Sequence, residues 1–345
     1  MGIRHIQSID LHSKWPCGRK NLITDVPGVR VGHTTLEDPV RNIHTGVTAV
    51  LPHGGNLFRD KVMAAASVIN GFGKSVGLLQ IQEMGTIESP ILMTNTMSVG
   101  TVYTGVCRYM LERNSDIGVS TSTINCVVTE CNDGMLNDIR GFHVREEDAV
   151  NAILNAKEVF DEGCVGGGTG MCCLGFKGGI GSASRILVVD GKEYTIGALV
   201  MSNFGAAGNL IIGGKHYDDR RDYASEESRD KGSIIIIIAT DLPLSERQLG
   251  RVAKRATIAL GRTGSFCGNG SGDIAIAFTT ANRLPHYSDR DLMTYQMFYD
   301  ERIDKVFEAS VEAIEESIIS SLYHAVTTSG IRGKTVMGLK DSLQL

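Results

Sequence analysis

The chain has 345 residues, 41 of them glycine and 7 proline, and 42% of its residues are hydrophobic. Its 34 basic and 39 acidic side chains give a net charge of -5. Glycine is well above the usual ~7%, yet there is no G-X-Y period, no long charge block and no Lys/Arg run, which excludes collagen, a disordered tail and a nucleic-acid footprint.

What remains is a globular chain with many positive-φ positions or close backbone approaches. No apolar run reaches the ~18 residues of a membrane helix; the longest, Ile234–Ala239, has the length of a strand. Residues 1–20 mix charged side chains without a signal-peptide core, so they read as an N-terminal arm before one folded unit over 21–345. The eight cysteines (17, 107, 126, 131, 164, 172, 173 and 267) contain no C-x-x-C pair, and are expected as free thiols of a cytoplasmic protein.

Along the chain, Asp25-Val26-Pro27-Gly28 reads as a turn before a short strand, Val29–His33. Gly46–Leu51 is a strand, Lys61–Ile69 a helix broken by Gly71 and Gly73, Ile91–Thr94 a strand and Val99–Leu111 a helix. Asn125–Glu130 is a strand, and Glu146–Phe160 has helical spacing ended by Gly163. Gly163–Gly181 is a glycine-dense loop. Arg185–Val189 and Tyr194–Ser202 are strands joined by an Asp190-Gly191 hairpin turn. Lys215–Lys231 is a polar loop, Ser233–Ala239 a buried strand, and Ser245–Leu260 a helix opened by a Ser245/Gln248 capping box. Asp273–Thr279 alternates as a strand, and Val306–Val326 carries an apolar helical stripe. Hairpin strands beside helix pairs argue for mixed sheets in layers with helices outside.

The glycine-dense loop follows a helix and precedes a strand, the reverse of a dinucleotide fingerprint, and the Walker spacing is absent. It reads as a tight loop lying against other backbone. Nine scattered histidines and the adjacent Cys172-Cys173 offer no metal-ligand spacing, so no metal or cofactor is expected. The segment GRTGSFCGNGSGD (261–273) lies between a helix and a strand. Gly264 removes side-chain bulk beside Ser265, which suits an N→O acyl shift: Ser265 Oγ attacks the Gly264 carbonyl and the ester hydrolyses. The new N-terminal serine then supplies a nucleophile and its own amine base. Spacing alone favours a plain glycine loop with a capping serine.

The blocks LITDVPGVRVGHTTL (22–36), TGVTAVLPHGG (45–55), PILMTNTMSVGTV (90–102), VTECNDGMLNDI (128–139), GGGTGMCCLGFKGGIGSASR (166–185), GALVMSNFG (197–205) and GRTGSFCGNGSGDIAIAFTTANR (261–283) follow one another through nearly the whole chain. In this order they resemble the L-aminopeptidase/D-amidase/D-esterase family, which includes the β-peptidyl aminopeptidases. The resemblance implies an αββα sandwich similar to N-terminal-nucleophile hydrolases and ornithine acetyltransferase. It implies a metal-free serine hydrolase that cleaves itself between Gly264 and Ser265, giving an α chain 1–264 and a β chain 265–345. Its substrates would be small peptides, amides or esters with a free N-terminal amine, and its assembly a homotetramer. Asn203 matches the oxyanion-hole asparagine, and Glu130 the acid that receives the substrate ammonium. Two positions depart from the family: Asn132 stands where an aromatic residue is frequent whose Tyr hydroxyl can add to the oxyanion hole, so its shorter amide is expected to donate at the substrate site instead, and Ala313 stands where a helix serine precedes a glutamate. That glutamate matches Glu315, although Ser310-Val311-Glu312 also reads Ser-x-Glu. Two other readings stay open: acyl transfer of the ornithine acetyltransferase type, and an unprocessed relative that only binds peptides.

Overall fold

A computed structural model describes residues 11–217 and 232–343. Its strands are β1 (Arg30–Asp38), β2 (Ile43–Leu51), β3 (Asp60–Gly71), β4 (Thr86–Ile87), β5 (Ile91–Asn95), β6 (Val127–Cys131), β7 (Cys172–Cys173), β8 (Phe176–Lys177), β9 (Gly179–Val189), β10 (Lys192–Asn203), β11 (Ile211–Ile212), β12 (Lys215–His216), β13 (Ser233–Thr240), β14 (Gly272–Pro285), β15 (Thr328–Ser329) and β16 (Thr335–Val336). Its α-helices are α1 (Leu78–Met84), α2 (Val99–Arg113), α3 (Glu146–Leu154), α4 (Glu246–Ala253), α5 (Ala256–Arg262), α6 (Asp304–His324) and α7 (Leu339–Leu343).

Two sheets carry the fold, one ordered β1-β2-β5-β6 and the other β4-β3-β14-β13-β10-β9. Burial alternates along β13 and shows why they stack. Ile235, Ile237 and Ala239 face the first sheet, sharing a core with Met93 and Val127 of that sheet and with Leu199 and Met201 beside them on β10. Ile234, Ile236 and Ile238 face the other way, into a core with Leu249, Val252, Ile314 and Ile318 of α4 and α6. The first sheet does the same in mirror image, burying Val47, Ala49 and Leu92 under Val102, Val106 and Ile153 of α2 and α3. Three apolar layers between four layers of secondary structure make an αββα sandwich.

Strand β13 lies parallel to β14 and antiparallel to β10, buried on both faces, and this is why it reads as an unbroken isoleucine run. The hairpin turn forms as expected, with Asp190 at φ 50° and Gly191 at φ 79°. Helix α6 can lie close on β9 because Gly181 has no side chain: a Cβ there would stand 2.0 Å from the Ser317 carbonyl oxygen. The glycine-dense loop is close-packed, its Gly166–Gly168 turn lying against β1, β2 and β5.

Several elements differ from the sequence reading. Residues 61–69 form part of β3, not a helix. Alanine-rich sequence favours a helix, but pairing with β14 along its length overrides that preference, and Ala65 leaves room for α4 at Gly250. The 245–260 helix is two, α4 and α5. Their ladder tightens to i→i+3 bonds at Arg255 (to Val252, 2.9 Å) and Ile258 (to Arg255, 3.0 Å). Its capping box is present, with Ser245 Oγ accepting from Gln248 N and Gln248 Oε1 from Ser245 N. Helix α3 stops at Leu154, because Lys157 turns away to exchange backbone hydrogen bonds with Val31. The strands β1, β9, β10 and β14 run longer than read, their extra residues being paired across the sheets. Within the polar segment 215–231, Lys215–His216 pairs with Ile211–Ile212; residues 218–231 lie outside the described residues.

Candidate active site

The sheets end together at one edge of the sandwich. Asn203 of β10 stands opposite Ser233 of β13, Ser233 opposite Gly272 of β14, and Gly272 opposite Gly71 of β3. In the facing sheet, parallel pairing of β5 and β6 brings Thr94 beside Glu130 and Asn95 beside Cys131. The segment bearing Ser265 runs from α5 into Gly272, the middle of this edge.

The residues around Ser265 are dictated by how α5 ends. The Ser265 N–H donates to the Leu260 carbonyl (2.9 Å) and the Gly264 N–H to that of Gly261 (3.2 Å). These two bonds are a Schellman motif with Gly264 at C′ and Ser265 at C″. Gly264 has φ +102°, and a Cβ on it would stand 1.8 Å from the Asn209 carbonyl oxygen. Both the conformation and the space demand glycine. Thr263 seals the helix end, its hydroxyl donating to the carbonyls of Leu260 (3.0 Å) and Ala259 (3.2 Å). Beyond it, Ser265 Oγ accepts from the Cys267 N–H (3.0 Å) and Asn70 Nδ2 donates to the Gly268 carbonyl (2.5 Å). The Ser271 hydroxyl donates to Asp273 (2.6 Å). Ser265 itself is partly exposed.

Asn203 is buried and bridges the two sheets. Its Oδ1 accepts from the Cys172 N–H (2.8 Å) and its Nδ2 donates to the Asn132 carbonyl (3.0 Å). Asn132 therefore meets Asn203 through its backbone. Its side chain folds back, Oδ1 accepting from the Gly134 N–H (2.9 Å), in an Asx turn. Glu130 is buried at the end of β6, where Oε1 accepts from the Lys74 N–H (2.8 Å) and Oε2 from the Thr96 hydroxyl. The structure thus gathers Ser265, Asn203, Asn132 and Glu130 at one edge of the sandwich.

The helix glutamates are arranged differently. Glu315 pairs with Arg262 in the last turn of α5 (3.0 Å), three residues before Ser265. Burial pushes its carboxyl above the ordinary range, against the lowering pull of Arg262. Glu312 is turned to buried Arg185 (3.1 Å) and to the backbone N–H groups of Lys14 and Trp15, while Glu316 takes the other side of Arg185 (2.7 Å). Ala313 lies in the core, among residues no polar side chain could join without a partner.

Sequence reasoning missed Asn70, Thr96, Lys74 and Asp133. Asn70 lies just past the segment misread as a helix, with no motif of its own to mark it. Thr96 and Lys74 reach Glu130 only through the folded chain. Asp133 is fully buried beside Asn132, and burial lifts its carboxyl to about 7 against the pull of Thr45, Asn137 and Lys177. Two adjacent residues, one exposed and one buried, leave no mark in sequence.

The model of the family described as peptidase family S58 matches residues 21–336. The β-peptidyl aminopeptidase BapA of Sphingosinicella microcystinivorans is 39% identical over 348 residues, covering 93% of this chain and 86% of that protein. A solved structure from Pyrococcus horikoshii OT3 superposes with a TM-score of 0.90 at 49% identity, covering 97% and 96% of the two chains. The L-aminopeptidase D-Ala-esterase/amidase of Ochrobactrum anthropi, described as a prototype for the serine aminopeptidases and a new variant among the Ntn hydrolase fold, superposes at 0.87 with 37% identity, covering 96% and 94%. Matched in sequence and fold over nearly its whole length, the chain belongs to peptidase family S58 and is a hydrolase of the serine aminopeptidase type.

Proposed function

We propose that this aminopeptidase and amidase-esterase makes its own nucleophile by cutting the Gly264–Ser265 bond. The observation that carries the reading is the helix junction, which presents a partly exposed serine hydroxyl directly after a glycine at φ +102°. In the intact chain Ser265 Oγ gives up its proton as it attacks the Gly264 carbonyl carbon, the C–N bond breaks as the Ser265 nitrogen takes up a proton, and the acyl group passes to oxygen. Water then hydrolyses the ester, leaving the Gly264 carboxylate and a free amine on Ser265.

In the mature enzyme that amine takes the hydroxyl proton as Oγ attacks the substrate carbonyl. Asn203 holds one N–H on the Asn132 carbonyl, and its second is the donor proposed for the oxyanion. The leaving amine or alcohol takes the proton, and water releases the acyl group. Glu130 is the anchor for the substrate's ammonium, a charge-assisted contact that explains a need for a free amine. Asn132 acts by positioning Asn203. Glu315, through Arg262, positions the end of α5 on which Ser265 sits. The cytoplasmic location and the homotetramer belong to the same reading and are checked by fractionation and sedimentation. Among the described residues, no helix is long and apolar enough to cross a membrane.

Intact-mass measurement tests the reading. The wild type is expected as fragments 1–264 and 265–345, and Ser265→Ala as one inactive chain. A wild type that stays whole while hydrolysing aminoacyl amides overturns it.

A further inference from the structure

Cys107 and Cys126 lie apart from the edge where Ser265, Asn203 and Glu130 meet. Cys107 is on α2 and Cys126 directly precedes β6, and their Sγ atoms are 3.6 Å apart. Cys107 is partly exposed, whereas Cys126 is buried. A cavity of about 260 Å³, lined by Val76, Gly77, Val99, Tyr103 and Asn125, opens onto Cys126 itself. Because Cys107 is partly exposed, a small polar oxidant can reach its side of the pair without unfolding.

We propose that Cys107 and Cys126 form an oxidation site at which a hydroperoxide converts two thiols into a disulfide. The hydrogen bond shared with Cys126 holds the Cys107 thiol down to about 7, outweighing its burial, with a smaller contribution from Tyr103. The same pairing, with burial, pushes Cys126 well above its ordinary range. Exposure assigns the roles: the partly exposed Cys107 attacks and the buried Cys126 resolves. Among the other cysteines, burial pushes Cys17, Cys131 and Cys172 upward, away from reactivity.

In the first step the Cys107 thiolate attacks one peroxide oxygen. The O–O bond breaks, the distal oxygen leaves and is protonated to water (or to the alcohol of an organic hydroperoxide), and Cys107 becomes a sulfenic acid. In the second step Cys126 gives up its proton and attacks the Cys107 sulfur. The S–O bond breaks, a second water leaves, and the disulfide forms. Two thiols are oxidised by two electrons and one peroxide is reduced. The sulfurs must close from 3.6 Å to about 2.05 Å, a motion within the reach of side-chain rotation.

The test is a non-reducing peptide map of the wild-type protein after hydrogen peroxide, with Cys107→Ser and Cys126→Ser beside it. Expected are a Cys107–Cys126 linked peptide, lighter by two hydrogens than its parts, and a dimedone-trapped sulfenic acid on Cys107 in Cys126→Ser. Cys107→Ser should give neither. The proposal is overturned if other thiols oxidise while this pair stays reduced, or if wild-type Cys107 stops at sulfenic acid or links elsewhere. The wild-type map decides the matter even where a variant fails to fold.

Discussion

At Gly264 one residue ends a helix and borders the bond proposed for self-cleavage. A methyl group there meets the Asn209 carbonyl oxygen at 1.8 Å and must adopt φ +102°. Gly264→Ala is therefore expected to lose more than about 1 kcal/mol of stability and to slow self-cleavage, read from the denaturation midpoint and the mass of the chain over time. Wild-type values on both would remove the junction from the argument. Glu130 makes a second prediction at this scale. Glu130→Gln keeps an acceptor for the Lys74 N–H but loses the charge. KM for amine-bearing substrates should rise on the order of tenfold to a hundredfold, with smaller changes in kcat and in the KM of a des-amino analogue. An equal effect on both substrates would place the carboxylate in a structural role. The sequence already made Gly264, Ser265, Asn203 and Glu130 conspicuous, through motif order. It could not tell that Asn132 meets Asn203 through its carbonyl, because its side chain folds back onto Gly134.

Among the elements, α6 shows how a helix divides its acids. Arg185 of β9 is almost fully buried and is shared by Glu312 and Glu316. A buried ion group is costly to break from one side. Arg185→Met should destabilise by about 3–5 kcal/mol, and adding Glu312→Gln and Glu316→Gln should recover much of the loss in denaturant titrations. If the triple variant is no better than the single, the two carboxylates are not what Arg185 neutralises. Glu315, one position from Glu316, is spared this duty and pairs with α5 instead. Sequence spacing offered both Glu312 and Glu315, since the difference is a matter of which neighbour each meets. The misread β3 teaches the same point: alanines suit a helix locally, and only the partner strand β14 decides against it.

For the molecule as a whole, mixed sheets layered with helices outside were legible from hairpins and helix pairs, while the αββα order came from the family resemblance. Sheet order was not legible, because the parallel neighbours β5–β6 and β13–β14 are separated by long stretches of chain. Global stability should carry the signature of Asp133, whose carboxyl burial lifts to about 7 from 3.8. A raised carboxyl favours the folded state while protonated. Its contribution is complete below about pH 4 and is lost as pH rises through 7. Buried His33, lowered by burial to about 4, acts the other way: its contribution is present above 6.5 and lost as pH falls. Comparing Asp133→Asn with wild type at each pH cancels the histidine. The variant should gain on wild type from pH 4 to 7 by on the order of 4 kcal/mol at most, and a constant difference across that range would refute the assignment.

The Schellman junction has an electrostatic consequence. The carbonyls left at the end of α5 give that end a partial negative charge. Cleavage after Gly264 would add a full carboxylate to it, in a turn whose basic residue, Arg262, is already committed to Glu315. The newly formed α-chain terminus would be repelled by the helix that ends in it. The fold that holds the bond in place before cleavage would then push the tail away from Ser265 afterwards, clearing the nucleophile and opposing religation.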